Sequence, residues 1–344
     1  MRLLVCGGAG FIGSGFVRRM LDKHEDWDIA CLDKLTYAGN LDNLLCVEED
    51  PRFAFHRGDI AVREDVDTAL AMMGGTVDAI VNFAAETHVD RSIAEPEAFL
   101  VTDILGTHTL LEAVRDHDIP KMVQVSTDEV YGSIAPGVSA CETDALSPSS
   151  PYSASKAGGD LQVLAYHTTY GTPALITRGS NTYGPYQYPE KLIPLFVTNA
   201  LEGEKLPLYG DGMNVRDWLH VHDHVDGIEA ALLRGEPGQV YNIGGGNERT
   251  NREITQIVLD ELGLAWDDAV QQVADRPGHD RRYSIACDKA REQLGWQPQV
   301  DFETGLRETI QWYRENEWWW AKIKHQTEEF AEWRAVWYEE RGQA

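Results

Sequence analysis

A short apolar run, Leu3–Cys6, breaks into Gly7-Gly8-Ala9-Gly10-Phe11-Ile12-Gly13 and then into a helical pattern. Nothing else in the chain restricts its fold so strongly. Glycines at Gly-x-x-Gly-x-x-Gly spacing allow a tight strand-to-helix turn. They also let backbone N–H groups at the helix N-terminus approach a pyrophosphate. Alone, such a string also fits an ordinary glycine-rich turn with a surface Asp nearby. Here Asp33 closes a second apolar run twenty residues after Gly13. An acid at that point accepts hydrogen bonds from an adenosine ribose and repels a 2′-phosphate, which favours NAD over NADP. Asp59-Ile60, just past a third run, is placed to meet the adenine.

The runs Leu3–Cys6, Asp28–Leu32, Phe53–His56, Asp78–Phe83, Lys121–Val125 and Ala174–Thr177 read as buried strands. Helical patterns lie between them, so the expected fold is α/β: a Rossmann-like, doubly wound parallel sheet with right-handed crossovers. From Gly179 to Asp217 the pattern loosens into Pro, Gly and Tyr. A helix near His222–Leu233 and a strand at Val240–Ile243 return to the sheet, and Thr250-Asn251-Arg252-Glu253 opens a helix that Gly263 stops. The expected division is an NAD-binding domain at 1–178 plus 215–243. A smaller, interwoven α/β substrate-binding domain takes 179–214 plus 244–344. Trp318-Trp319-Trp320 with Trp333 and Trp337 read as packing for terminal helices, because no basic face accompanies them as a membrane-surface helix would require.

A length of 344 residues suits one large and one smaller domain. The formal charge of −26, from 56 acidic and 30 basic residues, argues against nucleic acid and anionic membrane as partners. Such acidity fits solubility alone or a salt-rich habitat, where screening makes a crowded acidic surface tolerable. The five cysteines, Cys6, Cys31, Cys46, Cys141 and Cys287, are scattered and never in Cys-x-x-Cys spacing, so neither a disulfide framework nor a metal site is expected. With no signal-peptide pattern and no bilayer-length apolar stretch, the expectation is a cytoplasmic protein.

Two motifs carry chemistry. Tyr152 and Lys156 stand four apart on a helical stretch and share a face. An ammonium beside a phenol is expected to lower the phenol's pKa and to hold a nicotinamide ribose, the arrangement for oxidising a carbinol. On its own the pair also fits an exposed amphipathic helix. Thr127-Asp128-Glu129 follows the apolar run Met122–Val125, at the sheet edge where ligands bind. Two adjacent carboxyls cannot easily both ionise, which suits one as acid and one as base. The plainer reading is a solvated acidic pair. Oxidation joined to elimination points to a nucleotide-sugar dehydratase.

These motifs, with Leu32-Asp33-Lys34-Leu35-Thr36-Tyr37-Ala38-Gly39-Asn40, Ala84-Ala85-Glu86-Thr87-His88-Val89-Asp90-Arg91-Ser92, Gly184-Pro185-Tyr186, Arg216-Asp217-Trp218-Leu219-His220-Val221 and Asp275-Arg276-Pro277-Gly278-His279-Asp280, carry a resemblance over nearly the whole chain. The chain resembles the extended short-chain dehydrogenase/reductase family, in its NAD-dependent epimerase/dehydratase branch, and most of all the enzymes that dehydrate dTDP-glucose. The resemblance implies a redox-neutral cycle. Tyr152, helped by Lys156, takes the proton from the hydroxyl on carbon 4 as hydride passes to NAD, and Thr127 holds the oxygen. Glu129 removes the hydrogen on carbon 5, Asp128 protonates the hydroxyl leaving carbon 6, and hydride returns to carbon 6. It also implies cofactor contacts at Gly7, Gly10, Phe11, Ile12, Gly13, Asp33, Lys34, Leu35, Thr36, Asp59, Ile60, Phe83, Ala84, Ala85, Thr102, Tyr152, Lys156 and Thr182. Substrate contacts are implied at Thr87, Thr127, Asn181, Lys191, Leu192, Pro207, Leu208, Tyr209, Arg216, Asn251, Arg276 and His279.

The residue chemistry agrees in part. Arg216 and Arg276 suit a diphosphate, Asn251 can cap its helix and present that terminus to a phosphate, and Tyr209 can stack on a thymine. Three positions depart from the family: Asp103 where Asn is usual, Cys6 for Thr, and Gly15, which costs the first helix up to about 1 kcal/mol. The resemblance further implies a homodimer through helices at Glu97–His117 and Tyr152–Tyr170. Rival readings are a 4,6-dehydratase, 4-epimerase or decarboxylase for another nucleotide sugar (UDP or GDP), and, from another class, an NAD-binding sensor or scaffold. Retention of Tyr152, Lys156 and the acid pair weighs against the last.

Overall fold

The computed structural model describes residues 1–75, 77–275, 278–327 and 330. Arg276, Trp333 and Trp337 lie outside the described residues.

Seven parallel strands form the main sheet. In chain order they are β1 (Arg2–Cys6), β2 (Asp28–Asp33), β3 (Phe53–Arg57), β4 (Ala79–Asn82), β5 (Met122–Thr127), β6 (Ala174–Gly179) and, later, β10 (Val240–Ile243). Their spatial order is β10-β6-β5-β4-β1-β2-β3. The order reverses beside β1, which pairs with β2 on one side and β4 on the other, so the crevice for a ligand opens there. Each expected run is a strand, and β10 returns to the sheet as the sequence suggested.

The strands read as unbroken apolar runs because both faces are covered. Leu3 and Val5 face one core with Val17, Val225 and Ile228 from helices Phe11–Lys23 and Val221–Arg234. Leu4 and Cys6 face the other, with Leu110, Val163 and Tyr166 from helices Thr107–Asp116 and Pro151–Tyr170. Cys6 and Cys31 are buried thiols that pack as small hydrophobes.

The helix before Thr107 is not regular. Pro96–Phe99 is α-helical, and Leu100–Gly106 widens into a π-helical stretch that carries Asp103 inward. It packs tightly on helix Pro151–Tyr170, where a Cβ on Gly158 would meet Ile104 at 2.6 Å and one on Gly159 would meet the Asp103 carbonyl at 2.8 Å. The resemblance implies one helix over Glu97–His117. The bulge is what turns a carboxylate toward Ser155.

The rest of the second half gathers around its own core, which includes Phe196, Leu208, Trp218, Ile254, Val258, Leu306 and Trp319. Strands β7 (Asn181–Tyr183), β9 (Val215–His220) and β11 (Glu248–Thr250) make a three-stranded sheet, and β8 (Leu206–Tyr209) pairs with β12 (Val270–Val273). Thus β9 pairs with β7 and β11, not with the main sheet. Trp319 and Trp320 are buried and donate indole N–H bonds to Asn43 Oδ1 and the Tyr313 carbonyl, both at 2.8 Å. Trp318 remains half-exposed. Among the described residues no helix is long and apolar enough to cross a membrane, and no group of His, Cys, Asp or Glu is arranged to hold a metal.

Candidate active site

A long cleft follows the carboxyl edge of the main sheet from Asp33 on β2, past Gly7 and Phe83, to Thr127 on β5 and Gly179 on β6. At the β1 turn the glycines are required. Gly7 has φ of 73°, and a Cβ there would lie 2.4 Å from the Ala84 nitrogen; one on Gly13 would lie 2.2 Å from the Gly7 carbonyl oxygen. Gly10 opens helix Phe11–Lys23 without a side-chain cap, so the first-turn N–H groups are available to an anion. Asp33 is held from two sides: Oδ2 accepts from Ala9 N at 2.9 Å and Oδ1 from Leu35 N at 2.8 Å. Burial raises its pKa against those two bonds. Lys34 pairs with Asp59 at 2.7 Å.

The cleft brings together Gly7, Gly10, Phe11, Ile12, Gly13, Asp33, Lys34, Thr36, Asp59, Ile60, Phe83, Ala84, Ala85, Thr102, Tyr152, Lys156 and Thr182. Leu35 does not line it; its backbone, at φ of 56°, serves instead to bind Asp33. A bare backbone cradle followed by a fixed acid fits a dinucleotide's pyrophosphate and ribose.

The reactive groups converge where β5 ends. Thr127 caps the short 3-10 turn Asp128–Tyr131, its hydroxyl accepting from Glu129 N at 3.2 Å and donating to Asp128 Oδ1 at 3.3 Å. Asp128 is 3% exposed and its Oδ2 has no hydrogen-bond partner. Burial, then the neighbouring Glu129 and Asp217, hold its pKa well above the usual carboxylate range, against Arg216 and the Thr127 hydrogen bond. Glu129 accepts from the Tyr283 hydroxyl at 3.3 Å.

Tyr152 and Lys156 sit in the first two turns of helix Pro151–Tyr170, whose start is fixed by a Ser150–Ser153 capping box. Lys156 is buried and donates to the Val125 carbonyl at 2.9 Å. The expected depression of the Tyr152 pKa is not found. Burial, Glu129, Asp103 and Asp128 raise it, and a hydrogen bond with Thr127 opposes them. The lysine's charge is shared with a third carboxylate: buried Asp103 accepts from Ser155 Oγ at 2.6 Å and leaves Oδ1 unpartnered. Burial pushes the Asp103 pKa up to about 6 against the pull of Lys156.

A second cavity adjoins the first through Glu129, Asn181, Glu190 and Lys191. Leu192, Pro207, Tyr209, Arg216, Asn251 and His279 line it, whereas Thr87 lines the first cavity and its carbonyl accepts from Lys191 Nζ at 2.7 Å. Leu208 lines neither and is buried in the second core. Arg216 donates to the Val215 and Asp280 carbonyls at 2.8 and 3.0 Å and lies 4.2 Å over the Tyr283 ring. Asn251 is not the cap of its helix. Thr250 is, in a reciprocal box with Glu253, because its hydroxyl reaches the third backbone N–H while Glu253 reaches back. Asn251 is instead a buried first-turn residue facing the cavity.

Sequence reasoning missed Glu190, His88, His224 and Tyr283. Glu190 lines both cavities; burial pushes its pKa up to about 7 despite Lys191 and Arg91, and it accepts from the Tyr37 hydroxyl at 3.2 Å. His88, Glu190 and Tyr283 lie in or beside motifs already quoted, next to Thr87, next to Lys191 and three residues past Asp280, but nothing in those motifs marks them as lining the site; His224 lies in a helix whose pattern shows only packing.

Comparison with known proteins gives consistent matches. Residues 4–309 match the family model of GDP-mannose 4,6 dehydratase. A dTDP-glucose 4,6-dehydratase of Streptomyces antibioticus is 53% identical over 329 residues, covering 94% of this chain and 96% of its own. The low-salt glycan biosynthesis protein Agl12 of Haloferax volcanii is 50% identical over 313 residues, covering 91% and 98%. A double mutant of DesIV, the dTDP-glucose 4,6-dehydratase of Streptomyces venezuelae solved with NAD bound, superimposes with a TM-score of 0.90 at 54% identity, covering 94% of this chain and all (100%) of that one.

Proposed function

We propose a single activity for this chain, which belongs to the GDP-mannose 4,6-dehydratase family of NAD-dependent nucleotide-sugar enzymes: it is a dTDP-glucose 4,6-dehydratase. It converts dTDP-glucose to dTDP-4-keto-6-deoxyglucose and water, with NAD as a catalytic cofactor. The observation that carries this reading is the buried Asp128 carboxyl. Its free Oδ2 stands beside Glu129 at the junction of the cofactor cleft and the second cavity. An epimerase or decarboxylase needs no such acid.

The Gly7–Gly13 turn, Asp33 and Lys156 would hold NAD, which would supply a reversible hydride acceptor. The chain does the rest. Tyr152 takes the proton of the carbon-4 hydroxyl, and Thr127, already hydrogen-bonded to Tyr152, holds that oxygen. The carbon-4 ketone acidifies carbon 5, whose proton passes to Glu129. Asp128, kept protonated by burial and by the Glu129 charge, gives its proton to the hydroxyl leaving carbon 6 as water. Glu129 returns its proton to carbon 5 after carbon 6 is reduced.

The nucleotide belongs to the second cavity: Arg216 with Asn251 and His279 for the diphosphate, Tyr209 for the thymine, and Lys191 with Thr87 and Asn181 for the sugar. The proposed division is 1–178 with 215–243 for NAD and 179–214 with 244–344 for the nucleotide sugar; the cores follow it except that Trp218 packs with the second half and Ala290, Leu294 and Trp296 pack with the main sheet. We place the protein in the cytoplasm as a homodimer. Support for the dimer is a row of exposed apolar side chains, Leu100, Val101, Leu105, Leu161 and Tyr170, on the two helices named for it. A monomer mass by light scattering would remove the dimer.

The activity is tested by mass spectrometry of protein incubated with dTDP-glucose and no added NAD. Loss of one water without net NADH is expected. No reaction even after NAD is added, with turnover of a UDP- or GDP-sugar instead, would overturn the substrate.

A further inference from the structure

Helix Val221–Arg234 brings His224 to the β6 end of the cofactor cleft. The ring is 2% exposed and sits where Gly179 has no side chain; a Cβ there would lie 2.4 Å from Cε1. Its tautomer follows from its neighbour. The Thr182 hydroxyl has one hydrogen, which it donates to the Ser180 carbonyl at 3.1 Å, so at the 2.7 Å contact with His224 it must accept. Nδ1 therefore carries the ring proton. Burial lowers the ring pKa to about 4 and keeps it neutral, which leaves Nε2 a bare acceptor. Nε2 is buried and has no partner. An unmet acceptor in a ligand cleft is costly unless a ligand fills it.

The position selects the donor. With the acidic ribose partner Asp33 at one end of the cleft, the dinucleotide's other end reaches β5 and β6. There, Lys156 and Tyr152 approach from the face of the sheet that carries helix Pro151–Tyr170, while His224 approaches from the opposite face. The ribose hydroxyls belong to the lysine side. The N–H donor that remains is the amide of the nicotinamide ring.

We propose that His224 Nε2 accepts a hydrogen bond from the carboxamide NH2 of NAD and so fixes which way the nicotinamide faces. His224 is a positioning residue in this scheme. The assignment rests on the reading of the cleft as an NAD site.

The test compares binding of NAD and of 3-acetylpyridine adenine dinucleotide, which replaces the NH2 by a methyl group, to cofactor-stripped protein by calorimetry. The wild type should prefer NAD by about tenfold, the worth of one such hydrogen bond. His224→Leu should erase that preference by weakening NAD alone, and His224→Gln, whose amide oxygen can accept, should restore part of it. Unchanged binding of the analogue shows that the leucine variant is folded. A preference that survives His224→Leu, or equal loss of both ligands in both variants, overturns the assignment while the cofactor reading stands. Failure of the wild type to bind NAD at all would sink both.

Discussion

The two ends of the cleft are built from different materials. The cofactor end is made of backbone: the Gly7–Gly13 turn leaves bare N–H groups, and at Gly7 and Gly13 a single Cβ would collide. The sugar end is made of side chains, with Glu129, Lys191, Arg216, Asn251 and His279 arriving from separate stretches of the sequence. It also concentrates buried acids whose protons burial retains, Asp128 and Glu190 among them. Backbone sites depend on shape and tolerate little substitution. Side-chain sites depend on charge, so single-atom changes can alter their chemistry while leaving the fold in place.

The largest effect should come from the sugar end. Asp128→Asn keeps the size of the side chain and removes the proton it can give. Loss of water should fall by about 10²- to 10⁴-fold, while NADH absorbance rises on mixing with dTDP-glucose because oxidation at carbon 4 persists. Full turnover would overturn the acid assignment.

Gly7→Ala probes the cofactor end. Placing a Cβ at φ of 73° against Ala84 should cost at least about 1–2 kcal/mol from the backbone conformation alone. NAD should be lost on purification, read from the absorbance ratio at 260 and 280 nm, and the thermal midpoint should drop. A variant that keeps both would show that the turn is less constrained than its geometry indicates.

Glu190→Gln should act through pH. The folded protein holds the Glu190 proton up to about pH 7, whereas the unfolded chain releases it near the ordinary carboxylate value. The stability gained from that proton is complete below the unfolded pKa and is lost as pH rises through 7. Gln mimics the protonated form at every pH. Melting curves of the two proteins should agree near pH 4, diverge as pH rises between the unfolded and folded pKa values, and stay apart above pH 7, with the variant higher by up to about 3 kcal/mol. Coincident curves at pH 8 would mean that Glu190 pays no burial cost.

Asp103→Asn should give the smallest shift. Its charge raises the Tyr152 pKa, and below about pH 6 it is largely protonated. Removing it should leave the rate unchanged at pH 5 and move the rising limb of the pH profile to lower pH, by less than about one unit. A shift upward would contradict the electrostatics.

The same contrast explains what the sequence disclosed. The six strands from Leu3 to Thr177 and the Gly7–Gly13 turn are legible because backbone constraints write themselves locally, as apolar runs and glycine spacing. Asp33 is legible for its fixed distance from the turn. The acid pair was found because Asp128 and Glu129 are adjacent at a strand end. Local pattern says nothing, however, of the π-helical stretch that carries Asp103, which packs closely on Gly158 and Gly159 of a distant helix. It gave Asn251 a capping role that Thr250 performs. It also anticipated a depressed Tyr152 pKa from Lys156 alone, without the burial and nearby carboxylates that reverse the sign. Glu190 and His224 meet the site only through tertiary folding, and no sequence interval announces them.

The close packing at Gly158 and Gly159 has a practical consequence. It locks helix Pro151–Tyr170, which bears Tyr152 and Lys156, onto the stretch that bears Thr102 and Asp103, and both helices expose apolar side chains on their far sides. If those sides meet a second subunit, as proposed, the reacting groups are steadied by mass action. Specific activity would then fall on dilution below the dissociation constant of the pair and recover on concentration. An assay run at trace enzyme would understate what the same molecules do in a crowded cell.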